Sequence, residues 1–503
     1  MRNKVRILAL ICAGIMLLGL AACTKTDDSG NTTPADTNPA ATPETTDELY
    51  LGYPKDKIPE SLNYNNDKVK ILYWSDAERK EFETTDTDDD SDRIISAIKA
   101  RNEVVQQRLG VTFEWEGVEG SFRNRNKFTQ HVEAQYKSSN YYDVIATYSR
   151  TAGSLSTSGY LMDINTVENN YLDFDESWWP DTLIDTCTIG KSLYFVSGDI
   201  STNTLHFMYG VYYNKNLLSQ HQQLEDPTLL VQSKKWTIAK LIEMSSNMYQ
   251  DDNANGQKDK DDSYGFCTIN FHCDAFYTGS DLMLVEEDPD KVLVISPDFT
   301  GEKAINLVDT LGQWLTSDTC YTNSADYVRP FASGKTLFCL DRAYRVDPAN
   351  DSGLNAVDWK YGILPTPMYD ENQSDYITVI GNPFTLYGIG NGCADPSRAT
   401  AVLECWASEA YRRTTPAIFE VNMKLRYAKD NVDAQMYDIL RRTGRYDLGR
   451  IYATPLQEMS EMPSRAACEG QSWASISQSK AKGLKISLEK IVNDLETKAN
   501  LVK

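Results

Sequence analysis

The chain has 503 residues, of which 50 are basic and 72 acidic, for a net charge of −22 at pH 7. So acidic a protein argues against nucleic acid and against electrostatic docking on anionic lipid, and its length calls for two or more domains or lobes. Aromatic residues make up 11%, with 29 Tyr and 9 Trp, more than cores alone need and well suited to stacking on sugar rings.

The N-terminus reads MRNKVRILALICAGIMLLGLAACTK. Arg2, Lys4 and Arg6 precede an apolar run from Ile7 to Leu20 that is too short for a comfortable membrane span. The run ends in Leu20-Ala21-Ala22-Cys23, which resembles the lipobox of bacterial lipoproteins. That resemblance implies that residues 1–22 are a signal peptide and that Cys23 becomes the diacylglycerol-bearing first residue. The alternative is an ordinary secretory signal with a chance cysteine. Residues 1–22 hold three basic and no acidic residues, so cleavage leaves 47 basic against 72 acidic, or −25. Residues 23–65 begin with a Thr-, Pro-, Asp- and Asn-rich stretch without apolar periodicity and are expected to be a disordered tether. The expected location is the extracellular face of the cell membrane, held by lipid.

From Val69 the pattern alternates. VKILYW (69–74) reads as a strand, and a helix capped near Ser91 follows, with Ile94, Ile95, Ile98, Val105 and Leu109 at helical spacing before Gly110. VTFEWEGV (111–118) is a strand, 126–137 a helix, and YYDVIATYSR (141–150) a strand. Strands alternating with helices predict an α/β unit with a mostly parallel sheet, whose ligands meet the carboxyl ends of the strands. That rule places Trp74, Ser75, Asp76, Tyr148, Ser149 and Arg150 at the mouth of a site. Farther on, 192–201, 205–215, 335–344 and 375–390 read as strands and 361–369 as extended. Helices are expected over 235–249 with Thr237 as N-cap, over 302–315 and from about Ser397 to Arg413; the last hundred residues are mostly helical. Trp178-Trp179-Pro180 is ambiguous between packing and a stacking platform, whereas Trp236 and Trp314 fall on helices as core.

Between the helix at 235–249 and the next strand lies DDNANGQKDKDD (251–262). Counting from Asp251, positions 1, 3, 5, 9 and 12 carry Asp251, Asn253, Asn255, Asp259 and Asp262, with Gly256 sixth and the Gln257 carbonyl seventh. This matches the twelve-residue calcium loop, except that Asn replaces Asp twice and Asp262 replaces the bidentate Glu. The expectation is a weak, structural Ca2+ and no catalytic cofactor, with a solvated acidic turn as the alternative.

Beyond Cys12 and Cys23 there are eight cysteines with no CxxC, so zinc and thioredoxin-like motifs lack support. Cys267 and Cys273 are close enough in sequence to pair across a turn; buried thiols are the alternative. There is no GxSxG, HExxH or P-loop, the Gly388–Gly392 run has the wrong spacing for a dinucleotide turn, and only four histidines occur. No enzymatic activity is expected.

Block by block, "DVIATYSR … STSGYLMDI … SWWPD … GKSLYFVSGD … VYYNKNLL … KWTIAKLIEM … FASGKTLFCL … YGILPTPMYDENQSDY" is similar to extracellular solute-binding lipoproteins of ABC importers, in the carbohydrate-binding branch related to maltose-binding protein. The resemblance implies a two-lobed, periplasmic-binding-protein-like α/β fold whose chain crosses the hinge near Gly198–Leu205 and Tyr376–Asn382. The first lobe would hold 66–200 and 383–430, the second 205–375, and 431–503 would form a helical C-terminal region. It further implies an oligosaccharide held between the lobes for delivery to the transmembrane subunits of an ABC permease, by a monomer anchored to the membrane through lipid. Trp74, Asp76, Ser149, Arg150, Asp199, Ser201, Asp341, Arg342, Tyr344 and Asn382 are the expected ligand contacts. A non-sugar solute, a surface-anchored glycan-processing enzyme and an adhesion module are the alternatives.

Overall fold

Asp92 starts the first helix, one residue after the expected cap: its carboxylate accepts from Ile94 N at 2.7 Å and Ile95 N at 3.3 Å. Gly110 stops that helix in the left-handed region at φ 58°, as a C-terminal glycine does at little steric cost. The computed structural model describes residues 49–50, 52–85, 88–89, 91–322, 325–347, 354–428 and 430–498, so the signal peptide, Cys23 and the expected tether up to residue 48 lie outside the described residues.

In chain order the strands of the two larger sheets are β1 (Asp67–Trp74), β2 (Val111–Val118), β3 (Val144–Tyr148), β4 (Tyr209–Asn214), β5 (Tyr264–Cys267), β6 (Cys320–Tyr321), β7 (Thr336–Arg342), β8 (Tyr361–Pro365) and β9 (Thr385–Ile389). The helices used below are α1 (Arg93–Leu109), α2 (Arg125–Lys137), α3 (Ser149–Thr157), α4 (Ile238–Ser245), α5 (Asp274–Gly279), α6 (Glu302–Leu315), α7 (Pro396–Arg412), α8 (Asn431–Arg442), α9 (Leu448–Ile451), α10 (Met462–Glu469) and α11 (Trp473–Lys498). A π-helix, Pro416–Tyr427, follows α7.

Two sheets organise the described residues, which form one unit. The first has the order β9-β3-β1-β2, with β1 parallel to both β2 and β3 and β9 antiparallel to β3. The second has the order β6-β5-β7-β4-β8 and is mixed: β5 is parallel to β6 and β7, while β4 runs antiparallel to β7 and β8. Sequence periodicity missed β5 and β6, which are four and two residues long. The predicted strand over 192–201 forms only bridges, Ile189 with Ser192 and Val196 with Tyr387. The strand centres carry the cores. Val69, Ile71 and Leu72 of β1 are fully buried, each contributing roughly 1.5–3 kcal/mol by leaving water.

The two passages between the sheets touch each other. Gly381 N donates to Phe207 O at 2.7 Å, and Met208 bridges Ile380. Glu81, buried in the interior, fastens the first passage by accepting from Asn203 Nδ2 at 2.6 Å, Ser201 Oγ at 3.1 Å and Tyr387 Oη at 2.6 Å. Burial pushes its carboxyl pKa up.

One expectation needs correction, and one pairing left open by the sequence is not made. The tether does not reach residue 65: Asp56 and Ile58 are buried, and Asp56 takes a two-pronged contact from Arg108 of α1, with Nη2 to Oδ1 at 2.6 Å and Nη1 to Oδ2. No disulfide joins Cys267 to Cys273. Cys267 lies on β5 in register with Cys339 of β7, and the sulfur beside Cys273 is that of Cys468.

The C-terminal region spans both sheets. α8 packs on β8 of the second sheet, α9 on α3 beside the first, and α10 on α6. No helix among the described residues is long and apolar enough to cross a membrane.

Candidate functional site

A cavity of about 630 Å³ opens where the carboxyl ends of β1 and β3 meet the end of β7, and both sheets line it. Its most exposed apolar groups are two aromatic rings. Phe122 follows β2 and is 44% exposed; Phe271 follows β5 and is 46% exposed. Singly exposed apolar side chains are common, but two aromatic rings on one cavity form a patch of the kind that lines ligand grooves.

Asp76 sets the position of Phe122. Its Oδ1 accepts from Gly120 N at 2.6 Å and Ser121 N at 2.9 Å, and its Oδ2 from Asn124 Nδ2 at 2.8 Å. Burial raises the Asp76 carboxyl, but the bonds from Ser121, Asn124 and Gly120 outweigh it and hold the pKa below its usual value. The guanidinium carbons of Arg125 and Arg150 lie 4.3 Å and 5.6 Å from the Phe122 ring centroid, yet the side chain stays 44% exposed, and Arg125 donates to Phe122 O at 2.6 Å.

The polar groups around the cavity are tied in pairs that join different parts of the chain. Arg342 Nη1 reaches Glu78 Oε1 at 3.4 Å, linking the end of β7 to the segment after β1. Arg150 Nη1 donates to Glu458 Oε2 at 2.9 Å and Glu461 Oε1 at 2.7 Å. Arg450 of α9 pairs with Asp274 at the start of α5, and its Nη2 donates to Asn382 Oδ1 at 3.2 Å. Burial pushes the Asp274 carboxyl up, with Arg450 opposing.

Of the ten expected ligand contacts, Trp74, Asp76, Arg150, Arg342 and Asn382 line this cavity. Trp74 does so as its floor, not as a platform: it is fully buried, and its Nε1 donates to Thr385 Oγ1 at 2.9 Å. The other five face elsewhere. Ser149 is buried and donates to Asn382 O at 2.6 Å, and Ser201 is spent on Glu81. Asp199 lines a separate cavity of about 710 Å³ behind the chain crossings, where it accepts from Arg441 Nη2 at 3.1 Å and from Thr415. Asp341 is fully buried and accepts from Arg345 Nε at 2.6 Å and Tyr327 Oη at 2.5 Å. Burial would raise its carboxyl, but Arg345 holds it down to about 2. Tyr344 is 5% exposed, and the guanidinium carbons of Arg79 and Arg342 sit 4.5 Å and 4.8 Å from its ring centroid. Its faces are given to arginine, and its hydroxyl to Glu78 at 3.0 Å.

Sequence reasoning missed Phe122, Phe271, Glu78, Asp274 and Glu461. The rule that placed Trp74 and Arg150 at strand ends would also have found the two phenylalanines, had it been applied to β2 and had β5 been recognised. The Trp178-Trp179 pair is packing: both are buried, and Trp179 Nε1 donates to Glu404 Oε2 at 2.7 Å.

The 251–262 loop lies apart from this cavity. Asp251 accepts from Asn255 N at 3.2 Å and Gly256 N at 2.8 Å; Asn253 Oδ1 accepts from Asn255 N at 3.1 Å, and Asn255 Oδ1 from Gln257 N at 2.7 Å. Gly256 takes φ 72°, which an L side chain adopts only under strain. Asp259 sits across from these residues, accepting from Asn255 Nδ2 at 2.7 Å. Asp262 is buried and turned to Asp252 N and Asp259 N, both at 3.1 Å. Among the described residues no three His, Cys, Asp or Glu side chains converge as a metal cage. The loop's side-chain oxygens are thus engaged by its own N–H groups.

A profile of the bacterial extracellular solute-binding protein family matches residues 98–415. No curated protein sequence matches the chain. Among solved structures, the GacH receptor of Streptomyces glaucescens, solved unliganded and with acarbose and an acarbose homolog, aligns with a TM-score of 0.54 at 14% identity over 84% of this chain and 99% of that one. The cyclic α-maltosyl-1,6-maltose binding protein of Arthrobacter globiformis gives 0.55 at 12% identity over 84% and 99%. The galacto-N-biose/lacto-N-biose I-binding protein of the Bifidobacterium longum ABC transporter, in complex with lacto-N-biose, gives 0.55 at 10% identity over 85% and 98%. At these identities the likeness shows the fold, which is two-lobed α/β.

Proposed function

The chain belongs to the bacterial extracellular solute-binding protein family, and on that premise we propose that it is the binding component of an ABC importer and captures an oligosaccharide between its two lobes. The observation that carries this reading is the pair of exposed rings, Phe122 from the first sheet's side and Phe271 from the second's, lining one cavity of about 630 Å³. Sugar rings present C–H faces that stack on aromatics, and their hydroxyls suit the guanidinium, carboxylate and amide groups of Arg342, Glu78, Asp274 and Asn382 around them. The solved structures named above bear on ligand class only by analogy. The carboxylates at the cavity are each held by an arginine or by backbone N–H groups, which supports a role in binding without catalysis.

The lobes hinge at the crossings near 198–205 and 376–382, where the two passages between the sheets touch, and closure brings Phe122 towards Phe271. The body works as a monomer, tethered by lipid on Cys23 and presenting its ligand to the permease. Cys23→Ala should abolish incorporation of labelled fatty acid, and undiminished labelling would end the anchor reading. The loop at 251–262 takes calcium weakly through Asp251, Asn253, Asn255, Asp259 and the Gln257 carbonyl, with Asp262 completing the set if it turns inward; its role is structural. A thermal-shift screen of mono- and oligosaccharides tests the main reading, because a ligand that binds only the folded state raises the melting temperature. A shift with an oligosaccharide is expected; shifts only with peptides or osmolytes would refute it.

A further inference from the structure

Cys273 and Cys468 are separated by 195 residues, yet their sulfurs lie 3.6 Å apart. Both are buried, 2% and 6% exposed. Cys273 sits between the Asn270–His272 turn and the first residue of α5, so it is flanked by the cavity residues Phe271 and Asp274. Cys468 is in α10, which begins immediately after Glu461, another cavity residue. α10 already packs against that turn, α5 and α6. The two thiols are therefore brought together by elements that hold each other in place, not by a flexible loop.

We propose that Cys273 and Cys468 form a disulfide in the mature protein, stapling α10 to the second sheet's side of the cavity. An S–S bond is about 2.05 Å long, so the sulfurs must close by less than the width of one atom. The family is extracellular, and disulfides form and persist in such compartments. The oxidant is a disulfide of the thiol-oxidoreductase class. The Cys273 thiolate attacks one donor sulfur, breaking the donor S–S bond and forming a mixed disulfide. The Cys468 thiolate then attacks the Cys273 sulfur, releasing the donor as a dithiol with the two protons lost by the protein thiols. Two protein thiols are oxidised and one donor disulfide is reduced.

The staple bears on the cavity. Glu461 reaches Arg150 of α3, beside the first sheet, at 2.7 Å. With α10 bonded covalently to the second sheet's side, that ion pair becomes a contact between lobes. The staple rests on the extracellular placement of the family and not on the identity of the ligand.

Full-length protein isolated without reductant, unfolded and alkylated, tests this by peptide mass spectrometry. Cys273 and Cys468 should escape alkylation and be recovered as one linked peptide pair, both becoming alkylatable after reduction. In Cys468→Ser protein, Cys273 should alkylate without reduction. Reductant should lower the melting temperature of the wild type by a few degrees and leave Cys273→Ser/Cys468→Ser protein unchanged. Complete alkylation of both thiols in unreduced wild type, or linkage of either to a different cysteine, would overturn the proposal, as would a melting temperature equally sensitive to reductant in both proteins.

Discussion

Arg150, 2% exposed at the start of α3, donates to Glu461 at 2.7 Å and to Glu458 at 2.9 Å, so a guanidinium beside the first sheet is neutralised entirely from the C-terminal region. A buried charge that loses its partners costs several kcal/mol, far more than an exposed pair is worth. Glu458→Gln/Glu461→Gln should destabilise the protein by about 3 kcal/mol in urea unfolding, and each single change by less than half of that, since the other carboxylate remains. A double variant within about 0.5 kcal/mol of wild type would show that the C-terminal region merely lies against the lobe.

Trp74 and Phe122 should part company when truncated. Trp74 is fully buried and hydrogen-bonded to Thr385, so Trp74→Ala should cost about 3–5 kcal/mol of stability. Phe122 is 44% exposed, and Phe122→Ala should leave the melting temperature nearly unchanged. Comparable melting curves for the two variants would contradict the assignment of floor and platform.

Glu404 should make stability depend on pH. Burial lifts its carboxyl to about 7, against the hydrogen bonds it accepts from Trp179 and Asp173 N. In the unfolded chain a glutamate titrates near 4.3, so the native state binds the extra proton between these values. The group's contribution is full below about 4.3 and is lost as pH rises through about 7, up to about 3 kcal/mol. Glu404→Gln keeps an acceptor for Trp179 but cannot ionise. It should therefore gain stability relative to wild type between pH 5 and pH 8; parallel pH profiles in urea unfolding would show that Glu404 titrates normally.

Calcium removal should be visible at the 251–262 loop. Chelator should lower the wild-type melting temperature at millimolar-to-submillimolar metal, and Asp251→Ala should abolish the difference between chelated and calcium-loaded protein. Wild type indifferent to both would make the loop a solvated turn.

Much of the architecture was legible because β1 and β3 carry apolar runs and α1, between β1 and β2, is capped and closed by an αL glycine, signals that are local. β5 and β6 were not, because strands of four and two residues carry no period. The site was half legible for a related reason. Strand ends can be read from sequence, but neighbouring residues point to opposite faces. Arg342 turns to the cavity while Asp341, next to it, turns to Arg345 and Tyr327. Tyr344 looked like a stacking ring because nothing in the sequence shows that Arg79 and Arg342 cover it.

Calorimetric titration of an oligosaccharide that raises the melting temperature, into wild type and into Phe122→Ala/Phe271→Ala protein, tests the central claim most directly. If the two rings are the platforms of the cavity, each loss weakens binding at least tenfold, about 1.4 kcal/mol, and the double variant binds at least a hundredfold more weakly while melting like wild type. An oligosaccharide that binds the double variant as tightly as wild type would contradict the account.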